Sequence, residues 1–271
     1  MPPAEWRGGD FSSATNTVIR DPLTGDAGGG NRAAFANNVI PANRISPIAR
    51  EILSLVPMPN LSGQPIGQPN YESTTVRQRR TDQFDIKVNW QVSDRDQLAP
   101  RFSFMRPVVI DPSPYAGNIG GPANGGFAGT GTNDTVVTGL NWTRSWTNSL
   151  VMEARGGFTW YHNVAASEGQ GLNTAQQLGV PGVNISDYTS GIMSVNLQNY
   201  SNPVVGFSNS MPWDRGETTW TFATTLTKLA GNHQVKFGAD LRRNRDFLLQ
   251  TQDFGGPRGT FSYNGSTCVG A

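Results

Sequence analysis

Two carboxylates are the side chains in this 271-residue chain that could support acid-base catalysis. Asp85 and Glu153 are candidates for such a pair, because proton transfer needs one group that donates a proton and one that accepts it. Each lies beside a basic residue, Lys87 and Arg155 respectively. A carboxylate in that setting more often belongs to a solvated ion pair between neighbouring strands. We therefore expect no catalytic residue and no enzyme activity.

Neither the histidines nor the glycine-rich segment indicates a cofactor-binding site. His162 and His233 have no cysteine or carboxylate at the spacing of a metal site. The glycine-rich segment 120–131 lacks the Lys-Ser or Lys-Thr pair of a phosphate-binding loop. No arrangement of Ser, His and Asp resembles a catalytic triad. We expect no bound metal and no cofactor.

Charge and hydropathy exclude two broad classes of protein. With 21 basic and 20 acidic residues the net charge is +1, so we expect no nucleic-acid partner. Hydrophobic residues make up 36%, the mean hydropathy is −0.41, and no run approaches about 18 apolar residues, which excludes a helical membrane protein. The single cysteine, Cys268, excludes an intramolecular disulfide.

Residues 82–92 show the clearest pattern of the chain. Apolar side chains occupy every second position, namely Phe84, Ile86, Val88, Trp90 and Val92. A period of two places the apolar and polar sets on opposite faces of a β-strand. Five later segments repeat the pattern, and we predict strands there too, at residues 98–106, 133–143, 149–161, 217–228 and 234–246.

The two faces of these segments differ in charge. We predict an apolar face without charges, whereas the other face carries both signs, on Asp85, Lys87, Arg101, Glu153, Arg155, Lys236, Asp240 and Arg242. A basic side chain that faces lipid at the bilayer midplane costs about 2 to 4 kcal/mol, so this asymmetry is typical of a transmembrane β-barrel wall. We expect the apolar face to contact outer-membrane lipid and the eight charged residues to line the lumen or bind substrate.

Aromatic residues cluster near the two ends of the segments. Trp90, Trp142 and Trp146 lie near short connections, whereas Trp160, Tyr161 and Trp220 lie near long ones. Such rings favour the membrane interfaces, so we predict two aromatic girdles. Between the girdles, near the middle of the apolar faces, we place Val88, Leu140, Met152 and Phe222.

Connections between the segments alternate in length. Short polar turns occur at 93–97, 144–148 and 229–233, whereas 107–132 and 162–216 are long. Outer-membrane barrels alternate short turns with long outer loops, and soluble sandwiches rarely contain loops beyond about 12 to 15 residues. We predict an all-β fold: an antiparallel up-and-down meander forming a partial transmembrane outer-membrane β-barrel with long outer loops.

The chain divides into two regions. Residues 1–80 lack strand periodicity, and we assign them to a long extracellular loop region. One short helix is predicted at about 46–56, with Ser46 as its cap and Pro47 at its first position. Residues 81–271 form the partial barrel. Because loop excisions far from the wall cost little stability, we expect residues 183–210 to be removable without loss of the barrel.

Several sequence motifs resemble the barrel region of TonB-dependent receptors of the Oar-like group, which are abundant in acidobacteria. The motifs are 9–12 (GDFS), 19–25 (IRDPLTG), 38–47 (NVIPANRISP), 57–60 (PMPN), 82–85 (DQFD), 93–96 (SDRD), 178–182 (LGVPG) and 231–242 (GNHQVKFGADLR). The resemblance implies a barrel of about 22 strands around an N-terminal plug. It also implies import of a large or scarce substrate, of carbohydrate, siderophore or peptide type, driven by the TonB energy-transducing complex.

We expect the chain to be a fragment of such a receptor. Its first residues lack a secretory signal, and six strands are fewer than the eight of the smallest closed outer-membrane barrels. The plug that would contact the TonB complex is then missing from the chain. Two alternatives stay open: an outer-membrane barrel for adhesion or secretion, and a soluble secreted carbohydrate-binding β protein that uses Trp213 or Tyr188 as a stacking platform.

Overall fold

The computed structural model describes residues 1–14, 17–65, 68–115, 118–197, 201–252, 256 and 258–263. Cys268 lies outside the described residues. No helix in these ranges has the length and apolar character needed to cross a membrane.

A seven-stranded antiparallel sheet dominates the structure. Its strands are β1 (Gln78–Lys87), β2 (Trp90–Ser93), β3 (Asp96–Asp111), β4 (Gly129–Thr147), β5 (Leu150–Ser167), β8 (Trp213–Ala230) and β9 (His233–Gln250). The spatial order is β1-β3-β4-β5-β8-β9, and β2 continues the line of β1 along β3. Neighbours in the sheet are neighbours along the chain, so the predicted up-and-down meander is confirmed.

The strands are longer than their sequence pattern indicated. The strands β4, β5, β8 and β9 contain 18 or 19 residues each. Crossing the hydrocarbon core of a membrane takes about 9 to 11 tilted residues. Roughly half of each strand therefore extends beyond the thickness that a bilayer requires.

The predicted strand 82–92 is interrupted rather than continuous. Residues 88 and 89 lie between β1 and β2, opposite Pro100 of β3. The Val88 N–H donates to the Pro100 carbonyl at 3.1 Å. Proline has no N–H, so it cannot donate the second hydrogen bond of the pair. The missing donor accounts for the break in the hydrogen-bond ladder.

Short and long connections leave opposite ends of the sheet. Two-residue turns join β2 to β3, β4 to β5 and β8 to β9. At the other end, residues 112–128 connect β3 to β4, and residues 168–212 connect β5 to β8. We call these the turn end and the loop end of the sheet.

The long connections pack with the N-terminal region into a compact outer cap. The outer cap contains the short strands β6 (Ser194–Leu197), β7 (Ser201–Val205) and β10 (Thr260–Tyr263), which form a second sheet. Its core consists of apolar side chains, including Val56, Tyr115, Ile119, Ala128, Ala175, Val180, Ile192, Met193, Val205 and Phe207. Residues far apart in the chain build this core, so no local periodicity marks it.

The N-terminal region carries the predicted helix, here α2 (Pro47–Leu55), after a short helix α1 (Ala4–Arg7). The expected cap is wrong in detail, because Ser46 occupies the N-cap position without a side-chain hydrogen bond. At the other end, Arg7 donates to the carbonyls of Leu53 and Val56, both at 2.6 Å, and to that of Pro57 at 2.5 Å. The guanidinium thus satisfies carbonyls that a helix terminus leaves without partners.

Candidate functional site

All eight charged residues predicted to line the lumen lie on one face of the large sheet, here named the charged face. Residues directly opposite each other in antiparallel strands point to the same side. Lys87 is opposite Arg101, and the same row continues through glycine and threonine positions of the next strands to Arg242. The pairs Asp85–Ser103, Arg155–Ala223, Ala223–Asp240, Glu153–Thr225 and Thr227–Lys236 place the others on this face.

Ion pairs neutralise part of the charged face. Asp85 pairs with Arg101 of the neighbouring strand at 3.3 Å and accepts a hydrogen bond from the Ser103 hydroxyl. Glu153 pairs with Arg155 of its own strand at 3.7 Å. Asp85 thus forms the expected ion pair between neighbouring strands, whereas the partner of Glu153 lies on the same strand.

Asp85 and Glu153 do not meet each other. They lie on β1 and β5, and β3 and β4 separate these strands in the sheet. With strands spaced about 4.8 Å apart, the two carboxylates are at least about 14 Å apart. Proton transfer within one active site needs groups within hydrogen-bond reach of a common substrate atom, so this geometry offers no acid and base pair.

Small residues form the centre of the charged face. Gly139, Gly157 and Thr221 lie in one row between the arginines, Ala223 lies two residues from Thr221 on β8, and Gly238 lies on β9. Their side chains leave the space above the sheet open. The larger charged side chains of Lys87, Arg101, Arg155 and Arg242 surround this open area, so the face is polar and accessible.

The opposite face, named here the apolar face, has a central row without charge. This row consists of Pro100, Leu140, Gly156, Phe222 and Leu241. The large members are exposed, with Leu140 at 44%, Phe222 at 50% and Leu241 at 67%. Exposed apolar surface of this extent on a regular sheet marks contact with lipid or with another protein.

Charges do occur on the apolar face, so the predicted absence of charge is wrong. Arg144 pairs with Asp96 at 3.2 Å near the turn end, and Arg106 pairs with Asp134 at 2.9 Å near the loop end. Ten residues separate the two ion pairs on each strand. At about 3.4 Å per residue and a tilt of about 40°, the distance between the pairs corresponds to about 26 Å of height. That height matches the apolar band of outer-membrane barrels, about 25 Å.

The position expected for Met152 also needs correction. Met152 lies directly opposite Arg144, four residues from Gly156 of the central row, so it is displaced from the middle of the band toward the turn end. Leu140 and Phe222 do lie in the central row, and Val88 contacts Pro100 of that row. A period of two identifies the face of a residue but not its depth.

Strand pairing places four of the six predicted girdle residues on the apolar face. Trp90 and Trp142 point to the apolar face near the turn end, and Trp160 and Trp220 do so nearer the loop end. The Trp142 indole donates to Asp96 at 3.0 Å. Tyr161 lies opposite Thr135 and Glu217, so it points to the charged face rather than to the apolar face.

Trp146 lies beyond the regular pairing, at an irregularity between Ser145 and Thr147. Its ring stacks under the Arg144 guanidinium, 4.4 Å from the ring centre. The pair combines an apolar ring with a charged guanidinium, and such a combination suits the boundary between lipid and water.

The two histidines have structural neighbours rather than metal ligands. His162 Nε2 is 2.7 Å from an Asp214 carboxylate oxygen, on the apolar face near the loop end. His233 begins β9 opposite Ala230 in the hairpin turn. Among the residues that the structure describes, no three His, Cys, Asp or Glu side chains form a group able to hold a metal.

The proposed stacking platforms Trp213 and Tyr188 are held by neighbours. The Trp213 indole donates to Asn163 at 2.5 Å, and its ring packs edge-on against Phe127. The Tyr188 hydroxyl donates to the Leu249 carbonyl at 3.0 Å, and burial raises its pKa. These contacts connect both side chains to neighbouring segments of the chain, and each residue is half-buried.

Arg258 is a buried residue of the outer cap that no sequence pattern indicated. Its guanidinium donates to the carbonyls of Ser208 at 2.9 Å and Met211 at 3.0 Å. Burial lowers the pKa of Arg258 to about 10. The side chain links β10 to the segment that leads into β8, which is a structural role.

Residues 183–210 do not form a detachable loop. Ile192, Met193, Val205 and Phe207 from this segment are at most 1% exposed and form the centre of the outer cap. Their removal would expose the apolar side chains that pack on them. The excision would therefore disrupt the outer cap, and assembly of the barrel without these residues stays a prediction.

Two of the motifs behind the family resemblance contact each other in the N-terminal region. Arg44 of the motif at 38–47 donates hydrogen bonds to Asp21 of the motif at 19–25, at 2.9 and 2.5 Å. This contact, together with the Leu23 N–H that donates to the same carboxylate, holds the pKa of Asp21 below its usual value. These motif residues therefore serve the packing of the loop region.

A family model described as "Outer membrane beta barrel domain" matches residues 1–271, the full length of the chain. No curated protein sequence matches the chain.

Proposed function

The chain belongs to the outer membrane β-barrel domain family, and on that premise we propose that it forms part of the wall of a TonB-dependent receptor of the Oar-like group. Its location is the cell outer membrane. The proposed activity is uptake of a large or scarce substrate of carbohydrate, siderophore or peptide type, without chemical change to the substrate.

The charged face is the observation that carries this proposal. The interior of a small eight-stranded barrel is filled by packed side chains, whereas large barrels enclose a channel or a plugged lumen. Here the centre of the charged face consists of small residues such as Gly139, Gly157 and Thr221, with charges of both signs around them. Such a surface suits a wide hydrated lumen that contacts a polar substrate or a plug.

The open edges of the sheet support a large barrel. β1 and β9 each pair with one neighbour in the large sheet, and among the described residues they do not pair with each other. An unpaired edge cannot persist in the hydrocarbon core, because no water is present there to satisfy the backbone groups. Further strands must complete the wall.

The outer cap supports a receptor that captures substrate before import. It lies at the loop end, which faces outward in barrels of this class. An apolar cleft of about 500 Å³ opens in it, lined by residues that include Ile48, Ile52, Val180, Met193 and Phe261. We propose that the long loops capture substrate, and that an N-terminal plug outside this chain transmits force from the TonB complex.

Growth experiments test the proposal in the complete natural protein. Cells would depend on the receptor for one nutrient supplied at low concentration, chosen from polysaccharides, ferric siderophores and peptides. We expect growth to require both the receptor and TonB. Replacing Arg101 and Arg155 together by Gln should reduce uptake about tenfold, since each loses a charge-assisted contact to plug or substrate.

The matched control is Arg95→Gln, which removes the same charge from a turn residue at the opposite end from the outer cap. Heat-modifiable migration in electrophoresis would show that each variant forms a barrel. Normal growth of cells without TonB would contradict the proposal. Surface binding of cells or matrix without uptake would favour the adhesion alternative.

A further inference from the structure

The apolar cleft of the outer cap lies between α2 and the second sheet. Ile48 and Ile52 of α2 line one side, whereas Val195 of β6 and Phe261 of β10 line the other. Met193 also lines the cleft, and it belongs to the buried core of the outer cap. The cleft thus has a packed base. Its volume of about 500 Å³ falls within the range of about 300 to 1,000 Å³ that is typical of ligand sites.

The cleft lies on a face of the second sheet and not at its edge. Val195 and Phe261 are paired in the parallel ladder of β6 and β10, and Tyr263 follows Phe261 by two residues, so all three side chains point to the same side. β6, which carries Val195, pairs with a neighbour on both sides. A further strand beside β10 would extend the sheet in its own plane and would leave the space between the sheet and α2 open.

The lining of the cleft is uncharged and includes two hydroxyl groups. Arg50 and Glu51 of α2 are exposed and lie outside the cleft. The hydroxyls belong to Ser46, which precedes α2, and to Tyr263 at the end of β10. Neither hydroxyl forms a hydrogen bond within the part of the chain that the structure describes. Each can therefore bind a polar group of a ligand, as donor or as acceptor.

This chemistry discriminates between the three substrate classes of the proposed function. A polysaccharide carries several hydroxyls on every sugar unit, and a ferric siderophore carries the polar oxygens that hold its iron. A polar group that is buried without a hydrogen-bond partner costs about 1 to 3 kcal/mol, and the side chains of the cleft offer two partners. A peptide with apolar side chains avoids this cost, because its side chains gain from burial and its backbone N–H and C=O groups can bond to the hydroxyls.

We propose that the cleft binds an apolar peptide segment, so that the substrate is of the peptide type. The apolar side chains of the peptide pack against Ile52, Met193 and Phe261. The Tyr263 hydroxyl donates a hydrogen bond to a peptide carbonyl, and the Ser46 hydroxyl accepts one from a peptide N–H. This inference rests on the proposed function, because it selects one of the substrate classes named there.

Fluorescence anisotropy with the complete natural protein in phospholipid nanodiscs tests the cleft. The probe is a fluorescein-labelled peptide of sequence Gly-Leu-Phe-Leu-Gly with an amidated end. The unlabelled competitors are the same peptide, the polar peptide Gly-Ser-Asn-Ser-Gly, maltoheptaose, ferrichrome and dodecanoic acid. We expect saturable binding and displacement by the apolar peptide only. Phe261→Ala should weaken binding at least about tenfold, and Tyr263→Phe, which keeps the ring, about fivefold through the loss of one hydrogen bond.

The control is Ile185→Ala, which removes an apolar side chain of the outer cap that is 85% exposed and lies outside the cleft. It should bind the peptide like the natural protein, and heat-modifiable migration would show that all variants are assembled. Equal affinity of the Phe261→Ala variant and the natural protein would overturn the inference. So would equal displacement by dodecanoic acid, which indicates apolar contact alone, or by maltoheptaose or ferrichrome, which indicates another substrate class.

The growth experiment separates this inference from the proposed uptake. TonB-dependent growth on a polysaccharide or a ferric siderophore, without peptide binding, would overturn the peptide site and leave the uptake proposal intact. Peptide binding that follows the expected order of variants, in a receptor whose cells grow normally without TonB, would support the peptide site and contradict uptake.

Discussion

Each charge on the apolar face sits where it can reach a partner or the headgroup region. Asp96 with Arg144 and Arg106 with Asp134 bound the band at its two ends on β3 and β4. Between them the face carries only uncharged side chains on these strands. Depth in the bilayer, rather than the face alone, therefore decides which side chains are tolerated.

Leucine-to-arginine substitutions at two depths test this dependence. Leu140 lies in the central row, whereas Leu98 lies two residues from Asp96 on the same face. Leu140→Arg should cost about 2 to 4 kcal/mol of folding free energy, and Leu98→Arg about 0 to 1 kcal/mol, because the latter arginine can reach Asp96 and water. Unfolding in phospholipid vesicles by denaturant would measure both. Equal costs would contradict the assigned position of the band.

Two glycines on neighbouring parts of the sheet differ in the room around them. A Cβ on Gly238 would lie 2.2 Å from the Thr224 carbonyl oxygen, whereas a Cβ on Gly156 would meet nothing within 4 Å. Gly238→Ala should therefore separate β8 from β9 locally and destabilise the barrel by about 1 to 3 kcal/mol. Gly156→Ala, the matched control, should leave stability unchanged or slightly raised. Loss of heat-modifiable migration in the Gly156 variant alone would reverse this assignment.

At the scale of elements, the wall could be predicted and the outer cap could not. The alternation in segments such as 82–92 depends on local backbone geometry, so it identified strands, faces and turns. Depth depends on strand pairing and tilt, which is why Met152 and the end charges were misplaced. Val56 and Phe207 meet in one core although about 150 residues separate them, and no periodicity in either segment marks that contact.

Arg7 fixes one element of the outer region from a distance in sequence. Its three hydrogen bonds hold the end of α2 and the following turn, and burial lowers its pKa. Arg7→Gln should free residues 56–60 and raise the rate of protease cleavage there about tenfold, because local opening sets access to the protease. The control is Glu5→Gln, an exposed residue of the same short helix. Identical cleavage of both variants would show that Arg7 does not stabilise the helix end.

At the scale of the whole molecule, the boundaries of the apolar band run obliquely across the hydrogen-bonded rows. The charged pair at the turn end of β3 and β4 lies in the same row as Phe237 of β9. On β9, however, the side chains stay apolar as far as Val235, which is closer to the turn end. At the loop end the displacement has the same direction, since Arg243 lies in a row that is still apolar on β3, β4 and β5. Tilted strands produce this offset, because a row perpendicular to the strands then climbs through the bilayer.

The tilt predicts depths that can be measured with spin labels. Leu140 and Leu241 share one row, and three strand spacings separate β4 from β9. With spacings of about 4.8 Å and a tilt of about 40°, Leu241 should lie about 9 Å closer to the outer surface than Leu140. Phe237, four residues toward the turn end, should lie at nearly the depth of Leu140.

Spin labels on Leu140→Cys, Phe237→Cys and Leu241→Cys in a Cys268→Ser background would report these depths through their relaxation by oxygen and by a nickel chelate. Equal depths for positions 140 and 241, with 237 deeper toward the turn end, would mean that the strands stand upright in the membrane.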